Sequence, residues 1–225
     1  MRLGAAVELC ESLGRPVDVA RMSMLRGRLL VNLPGSSEEG RRWLDQARAL
    51  ASQLGDKRLL RDAVLATAEA DMRTGEHKRA VTHLTEALAY SRELHDVESQ
   101  IRCLVPLALA TSSDGRHAEA IEALTEARQL QKTVGDDRFT ECEMLKIESL
   151  AHFFGLDFER ALECSAHALE LAKEYGFAYE AAVNAHNMGE GYLRLGDYKR
   201  AFSSLRYSYD MARDHGYQKL QWANM

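Results

Sequence analysis

Apolar and small residues return along this chain at the spacing of an α-helix, and the amphipathic stretches they define are broken at regular intervals by short turn signals. The pattern predicts a helix over residues 3 to 13. It then predicts paired helices over Val17 to Asn32 with Ser37 to Leu54, Arg58 to Thr74 with His77 to Leu94, and Glu98 to Ser112 with His117 to Val134. Two further pairs follow, Arg138 to Phe154 with Phe158 to Tyr175 and Ala178 to Leu195 with Tyr198 to His215, and a last segment covers Tyr217 to Met225. Pro106, inside the first helix of the third pair, removes a backbone donor and is expected to bend that helix or delay its start.

The turns repeat with a period of 40 to 41 residues, at Leu13-Gly14, Leu54-Gly55-Asp56, Leu94-His95-Asp96, Val134-Gly135-Asp136, Tyr175-Gly176 and His215-Gly216. Glycine fits the left-handed position just past a helix end. Early in each second helix stands a small residue, Gly40, Ala80, Ala120, Ala161 and Ala201, and a second one follows seven residues later, at Ala47, Ala87, Ala127, Ala168 and Ser208. Two small positions on one face let neighbouring helices approach closely.

These units resemble the tetratricopeptide repeat family, most clearly in Gly189-x-x-Tyr192-x-x-x-Gly196-Asp197-Tyr198-x-x-Ala201. The pattern continues as Gly75-Glu76-His77-x-x-Ala80, Gly115-Arg116-His117-x-x-Ala120 and Gly155-Leu156-Asp157-Phe158-x-x-Ala161, the last read as carrying one extra residue in its turn. Gly35-Ser36-Ser37-x-x-Gly40 is the weakest. The period exceeds the family's usual 34 residues by close to one helical turn per helix, as in long-helix variants; HEAT and armadillo repeats, with periods of about 40 to 47, are the competing helical solenoids. The resemblance implies an all-α, right-handed α-solenoid of about five antiparallel hairpins. The repeats fall at approximately 15–55, 56–95, 96–135, 136–176 and 177–216, with partial repeats at 1–14 and 217–225, in a single domain spanning 1–225. Neither end carries the polar cap that normally closes a solenoid, which predicts that the chain is the interior of a longer protein able to self-associate through its open ends.

Composition agrees with a folded helical protein: 46% of residues are apolar, 28% charged and 7% aromatic, with three prolines. The net charge of −5 arises from intermixed acidic and basic residues. No basic stripe suited to phosphate is present, so direct nucleic-acid binding is not expected. Cys10, Cys103, Cys142 and Cys164 are far apart in sequence and form no Cys-x-x-Cys pair. Reduced thiols and a cytoplasmic location fit best. No stretch approaches the roughly 20 apolar residues of a membrane span.

The sequence contains no phosphate loop, metal-binding helix or nucleophile elbow. No catalytic residue, metal or cofactor is therefore expected; an enzyme using Glu69, His186 or Glu190 in the groove is the disfavoured alternative. His77 and His117 occupy the slot held by Phe158 and Tyr198, which the family uses for packing. His83, His95, His167 and His215 are read as solvated or partly buried, while His152 and His186 lie on first helices as contact candidates. The aromatic residues gathered near the end, Tyr175, Phe177, Tyr179, Tyr192, Tyr198, Tyr207, Tyr209 and Tyr217, read first as packing and otherwise as an interface.

In such solenoids the first helices line a concave wall that holds the ligand. By family register that wall comprises Leu25, Leu29 and Asn32, then Leu65, Glu69, Met72 and Arg73, then Arg102, Val105, Leu109 and Ser112, and finally His186, Glu190, Leu193 and Arg194. The register in the fourth hairpin stays open between Leu145 and Lys146. Mixed aliphatic and charged positions suit an amphipathic helix or an extended segment with spaced apolar anchors. The family's clamp for a chaperone tail is not matched, because Leu25, Leu29, Ala66 and Pro106 occupy its positions and only Arg102 fits. The ending Ala47-x-x-Leu50-Ala51-x-x-x-Gly55-Asp56 resembles repeats of large bacterial regulatory and signalling proteins, which implies a protein- or peptide-binding sensor coupled to an output domain. A passive assembly scaffold is the alternative.

Overall fold

The computed structural model describes residues 2 to 224, with side chains from residue 4. The described residues form twelve helices and no strand. They are α1 (Arg2–Ser12), α2 (Pro16–Val31), α3 (Ser37–Gln53), α4 (Lys57–Arg73), α5 (His77–Glu93), α6 (Val97–Ser113), α7 (His117–Val134), α8 (Arg138–Phe154), α9 (Phe158–Tyr175), α10 (Ala178–Arg194), α11 (Tyr198–Asp214) and α12 (Gln218–Ala223). Met1 and Met225, which the expected terminal segments include, lie outside the described residues. No described helix is long and apolar enough to cross a membrane.

Aspartates set many of the helix starts. Asp56, Asp96, Asp137, Asp157 and Asp197 each accept a hydrogen bond from a backbone N–H of the first turn, at 3.0 to 3.2 Å. An unpaired donor at a helix start is thereby satisfied. The preceding helix ends in a left-handed residue, glycine in most turns but His95 (φ 51°) and Leu156 (φ 65°) in two of them.

Leu156 corrects one expectation. Gly155 has an ordinary φ of −77° and merely ends α8, and Leu156 takes the left-handed place that glycine holds elsewhere. The α8–α9 turn is therefore no longer than its counterparts. The additional residues lie elsewhere: 21 positions separate the starts of α2 and α3 against 20 for α4 and α5, and 21 separate α7 from α8. The first falls near Leu33-Pro34-Gly35, the second near Gly135-Asp136.

Pro106 lies inside α6, which begins on schedule at Val97 and continues to Ser113. The expected late start does not occur.

Two compact units divide the chain, one up to Ala110 and the other from Thr111, with the boundary inside α6. In the first unit α2 packs on α3 and α4 on α5, and α3 and α2 both meet α4. In the second, α8 pairs with α9 and α10 with α11, while α9 and α8 meet α10. Within each unit, one hairpin thus packs on the first helix of the next.

The recurring small residues sit at these contacts, from Gly40 and Ala80 to Ala201, with none of the alanines more than 3% exposed. Gly27 and Gly40 bring α2 and α3 closest: a Cβ on Gly40 would stand 2.8 Å from the carbonyl oxygen of Gly27 and 2.8 Å from the backbone N of Val31. Between the small residues Leu44, Leu84 and Leu124 fill the core. Ser165 replaces that leucine in the fourth hairpin and is also buried. Its hydroxyl is 2.6 Å from that of Ser149, which donates to the Ala161 carbonyl at 2.8 Å, so the buried polar pair is satisfied.

Candidate binding grooves on the first helices

Helix starts align α2, α4, α6, α8 and α10 residue by residue, and side chains three or four apart share a face. Leu65 of α4 then corresponds to Val105, His186 and, in the fourth hairpin, Lys146. Leu145 is 6% exposed and packs in a core cluster with Cys142, Ala168 and Ala181, so the groove-side residue of that pair is Lys146. In α2 the counterpart of Leu65 is Met24, and that of Glu69 is Arg28. The register expected from family spacing was one residue late there, because of the extra residue in the loop after Val31.

The first unit carries a groove of about 270 Å³ between α2 and α4. Leu25, Leu65, Glu69 and Arg102 of the expected wall line it, together with Arg21, Met24, Arg28, Arg61, Asp62 and Ala66. A smaller pocket of about 30 Å³ continues along the same helices past Asn32, Glu69 and Arg73. Charge is largely paired: Arg28 meets Glu69 at 2.7 Å, and Arg61 meets Asp62 at 2.8 Å and Asp96 at 2.6 Å. Burial pulls the Arg61 guanidinium down, but its bonds to Asp62 and Asp96 outweigh this and leave it above its ordinary value. Arg102 is exposed at the rim.

The second unit has a groove of about 230 Å³ between α8 and α10, lined by Ser149, Leu150, Phe153, Phe154, His186, Asn187 and Glu190. Its floor is more apolar. Phe154 is 57% exposed and stacks on His117. Arg194 places its guanidinium 5.8 Å from the Phe153 ring centroid, within cation–π range. His186 Nδ1 lies 2.9 Å from the Asn224 side-chain oxygen, so the end of α12 fixes that imidazole. Lys146 spans 2.8 Å to the buried Glu180 and 3.6 Å to Glu143.

The remaining expected positions divide by burial. Leu29 and Leu193 are exposed, Met72 and Leu109 half-buried, and Val105 and Ser112 buried. Ser112 is turned to His117, with 3.3 Å between its hydroxyl and the imidazole Nδ1. A larger cavity, about 440 Å³, lies between the α1–α2 turn and α3. It uses no wall position and is floored by Val19, Ala49 and Leu50.

Sequence reasoning missed the phenylalanine pair Phe153 and Phe154 because the fourth register was unresolved. It also dismissed His83, whose Nδ1 lies 2.8 Å from a carboxylate oxygen of Asp71. Asp71 is fully buried and is held in addition by Arg41, with Arg79 at 3.7 Å. No spacing rule links Arg41, Asp71 and His83.

No model of a known protein family matches the chain, and no curated protein matches it by sequence. Solved structures do match. BtubC (BKLC) from P. vanneervenii is 17% identical with a TM-score of 0.80, over 96% of this chain and 90% of that one. A Podosopora anserina structure of nearly identical TPR-like repeats is 17% identical with a TM-score of 0.72, over 89% of this chain and 97% of that one. A Rap protein complexed with Competence and Sporulation Factor is 17% identical with a TM-score of 0.71; it matches 98% of this chain, which spans 58% of that protein. The fold is thus an all-α helical repeat of the tetratricopeptide type, in the solenoid class.

Proposed function

We propose that this chain is a protein-interaction module that binds a peptide or helical segment along its first helices, and that its 40- to 41-residue period marks it as a long-helix variant of the tetratricopeptide family. The observation that carries the reading is the groove of the second unit, where Leu150, Phe153 and the exposed Phe154 present an apolar floor beside Glu190. Exposed aromatic side chains in a concave site are the usual anchors of such binding. The first unit's groove adds Leu25 and Met24 beneath arginines, which suits apolar anchors flanked by acidic groups.

The similarity to a Rap protein solved with a bound factor, and the part of that protein beyond this chain's match, support a sensor that forms part of a larger regulatory protein. In that reading ligand binding in the array alters an attached output domain in a bacterial cytoplasmic signalling protein, and the array self-associates only where further repeats are lacking. The catalytic alternative stays disfavoured in this reading, since His186 faces Asn224 and Glu69 pairs with Arg28.

Selection from a random peptide library on the immobilised chain tests this. Enriched peptides should carry spaced apolar residues and lose binding to Phe154→Asp or to Leu25→Asp, according to the groove that holds them, while far-ultraviolet circular dichroism stays unchanged. Peptides that bind wild type and both variants equally would remove the groove from the proposal. Leu65 is a poorer probe, because it is 5% exposed and a charge there would unfold the hairpin.

A further inference from the structure

A second chemical feature lies in the α8–α9 hairpin, apart from the groove. Glu148 and His152 are one helical turn apart on α8 and share a face, and Cys164 stands opposite them on α9. One ligand atom from each of the three lies within 4.8 Å of the others, and all three side chains are half-buried. We propose that Glu148, His152 and Cys164 form a binding site for a divalent transition metal ion, zinc foremost, completed by one water molecule.

The donor set decides the class of ion. One thiolate, one imidazole and one carboxylate suit zinc, whereas magnesium and calcium require oxygen donors. Zinc bonds of about 2.0 to 2.3 Å place tetrahedral ligand atoms about 3.5 Å apart. The three groups therefore need to close by about 1 Å, which side-chain torsions on a helical hairpin supply.

The surroundings supply charge balance and orientation. Arg128 bonds Glu148 Oε2 at 2.7 Å and Glu141 at 3.3 Å. The second oxygen of Glu148 is left for the ion, and the arginine fixes the carboxylate's rotation as an outer-shell partner does. Burial, followed by the Glu148 charge, pushes the free Cys164 thiol up to about 11. Metal binding displaces its proton to solvent, leaving a thiolate bound to the ion. Two carboxylates and one thiolate against one guanidinium then leave two negative charges, which a divalent cation neutralises.

Cobalt(II) titration of the untagged, reduced chain reads the site directly. The expected result is a thiolate-to-cobalt charge-transfer band in the near ultraviolet that saturates at one equivalent and is displaced by zinc. Cys164→Ser abolishes the band, His152→Ala weakens cobalt binding about tenfold or more, and Cys10→Ser leaves both unchanged. Zinc should raise the melting temperature of wild type and not of Cys164→Ser, with circular dichroism confirming that both fold. Absence of the band in wild type, or its survival in Cys164→Ser, overturns the proposal. Neither result bears on peptide binding, since these ligands are not groove residues.

Discussion

Asp71 in the first unit is a fully buried carboxylate whose burial is tolerable because Arg41, Arg79 and His83 surround it. Arg41 reaches from α3 and also donates to the Thr74 hydroxyl at 2.5 Å, so it ties the first hairpin to the end of α4. Removing one partner of a buried ion pair leaves an uncompensated charge, which costs about 3 to 5 kcal/mol. His83 and Arg79 remain beside Asp71, so Arg41→Met should fall near the lower end of that range by urea unfolding, and Asp71→Asn in the same background should recover part of the loss. Asp96 answers to pH instead. Burial raises its carboxyl, but hydrogen bonds from the Ser99 backbone and hydroxyl and the Arg61 guanidinium outweigh that and hold it below the usual carboxylate range. A depressed folded value means that the stabilisation is fully present above the unfolded pKa and is lost as pH falls through the folded one. Wild type should therefore lose more of its urea midpoint than Asp96→Asn on going from neutral pH to below about pH 3.

At the scale of the helices, the boundaries were legible because aspartate caps, left-handed turns and small residues recur at fixed spacing. The expected helix ends fall within one residue of those found for α2 to α11. The failures arise at the turns and in helix length. Gly155 was read as carrying an extra residue, yet Leu156 holds the left-handed place there, and the longer α2–α3 connection and the extra residue of α7 are announced by no residue type. That shifted the groove reading by one residue in α2 and left it open in α8, hiding Met24, Arg28, Phe153 and Phe154. The metal-type cluster was illegible for another reason, since Cys164 joins Glu148 and His152 only through packing of α9 on α8. Gly40 shows how far repeat averaging can mislead. Its counterparts Ala80, Ala120, Ala161 and Ala201 suggest that Gly40→Ala would stabilise α3 by about 1 kcal/mol through helix propensity. The structure argues the reverse, because the new methyl would meet the backbone of Gly27 and Val31 at 2.8 Å. Overpacking of that kind costs about 1 to 3 kcal/mol. Thermal unfolding of Gly40→Ala should show a lowered midpoint, and a raised one would mean that α2 and α3 can separate freely.

At the scale of the whole molecule, the grooves of the two units, each by itself, differ in chemistry, and the proposed binding can be tested on that difference. The groove of the first unit is walled by arginines, several of them already paired, and the exposed Arg102 is a cation placed to meet an acidic group on a ligand. The groove of the second unit presents phenylalanine and leucine, with Glu190 and a histidine fixed by Asn224. Contacts between exposed charges weaken as salt shortens the Debye length, whereas apolar burial does not. A peptide held in the first groove should therefore bind less tightly at high salt, and Arg102→Ala should remove most of that salt dependence while costing about 1 kcal/mol. A peptide held in the second groove should be nearly indifferent to salt, and Phe154→Ala should weaken it by about 1 to 3 kcal/mol. Fluorescence polarisation across a salt series separates the two. A selected peptide whose affinity responds to neither substitution would place its site off the first helices, and the cavity beside Val19 and Leu50 would then be the next surface to vary.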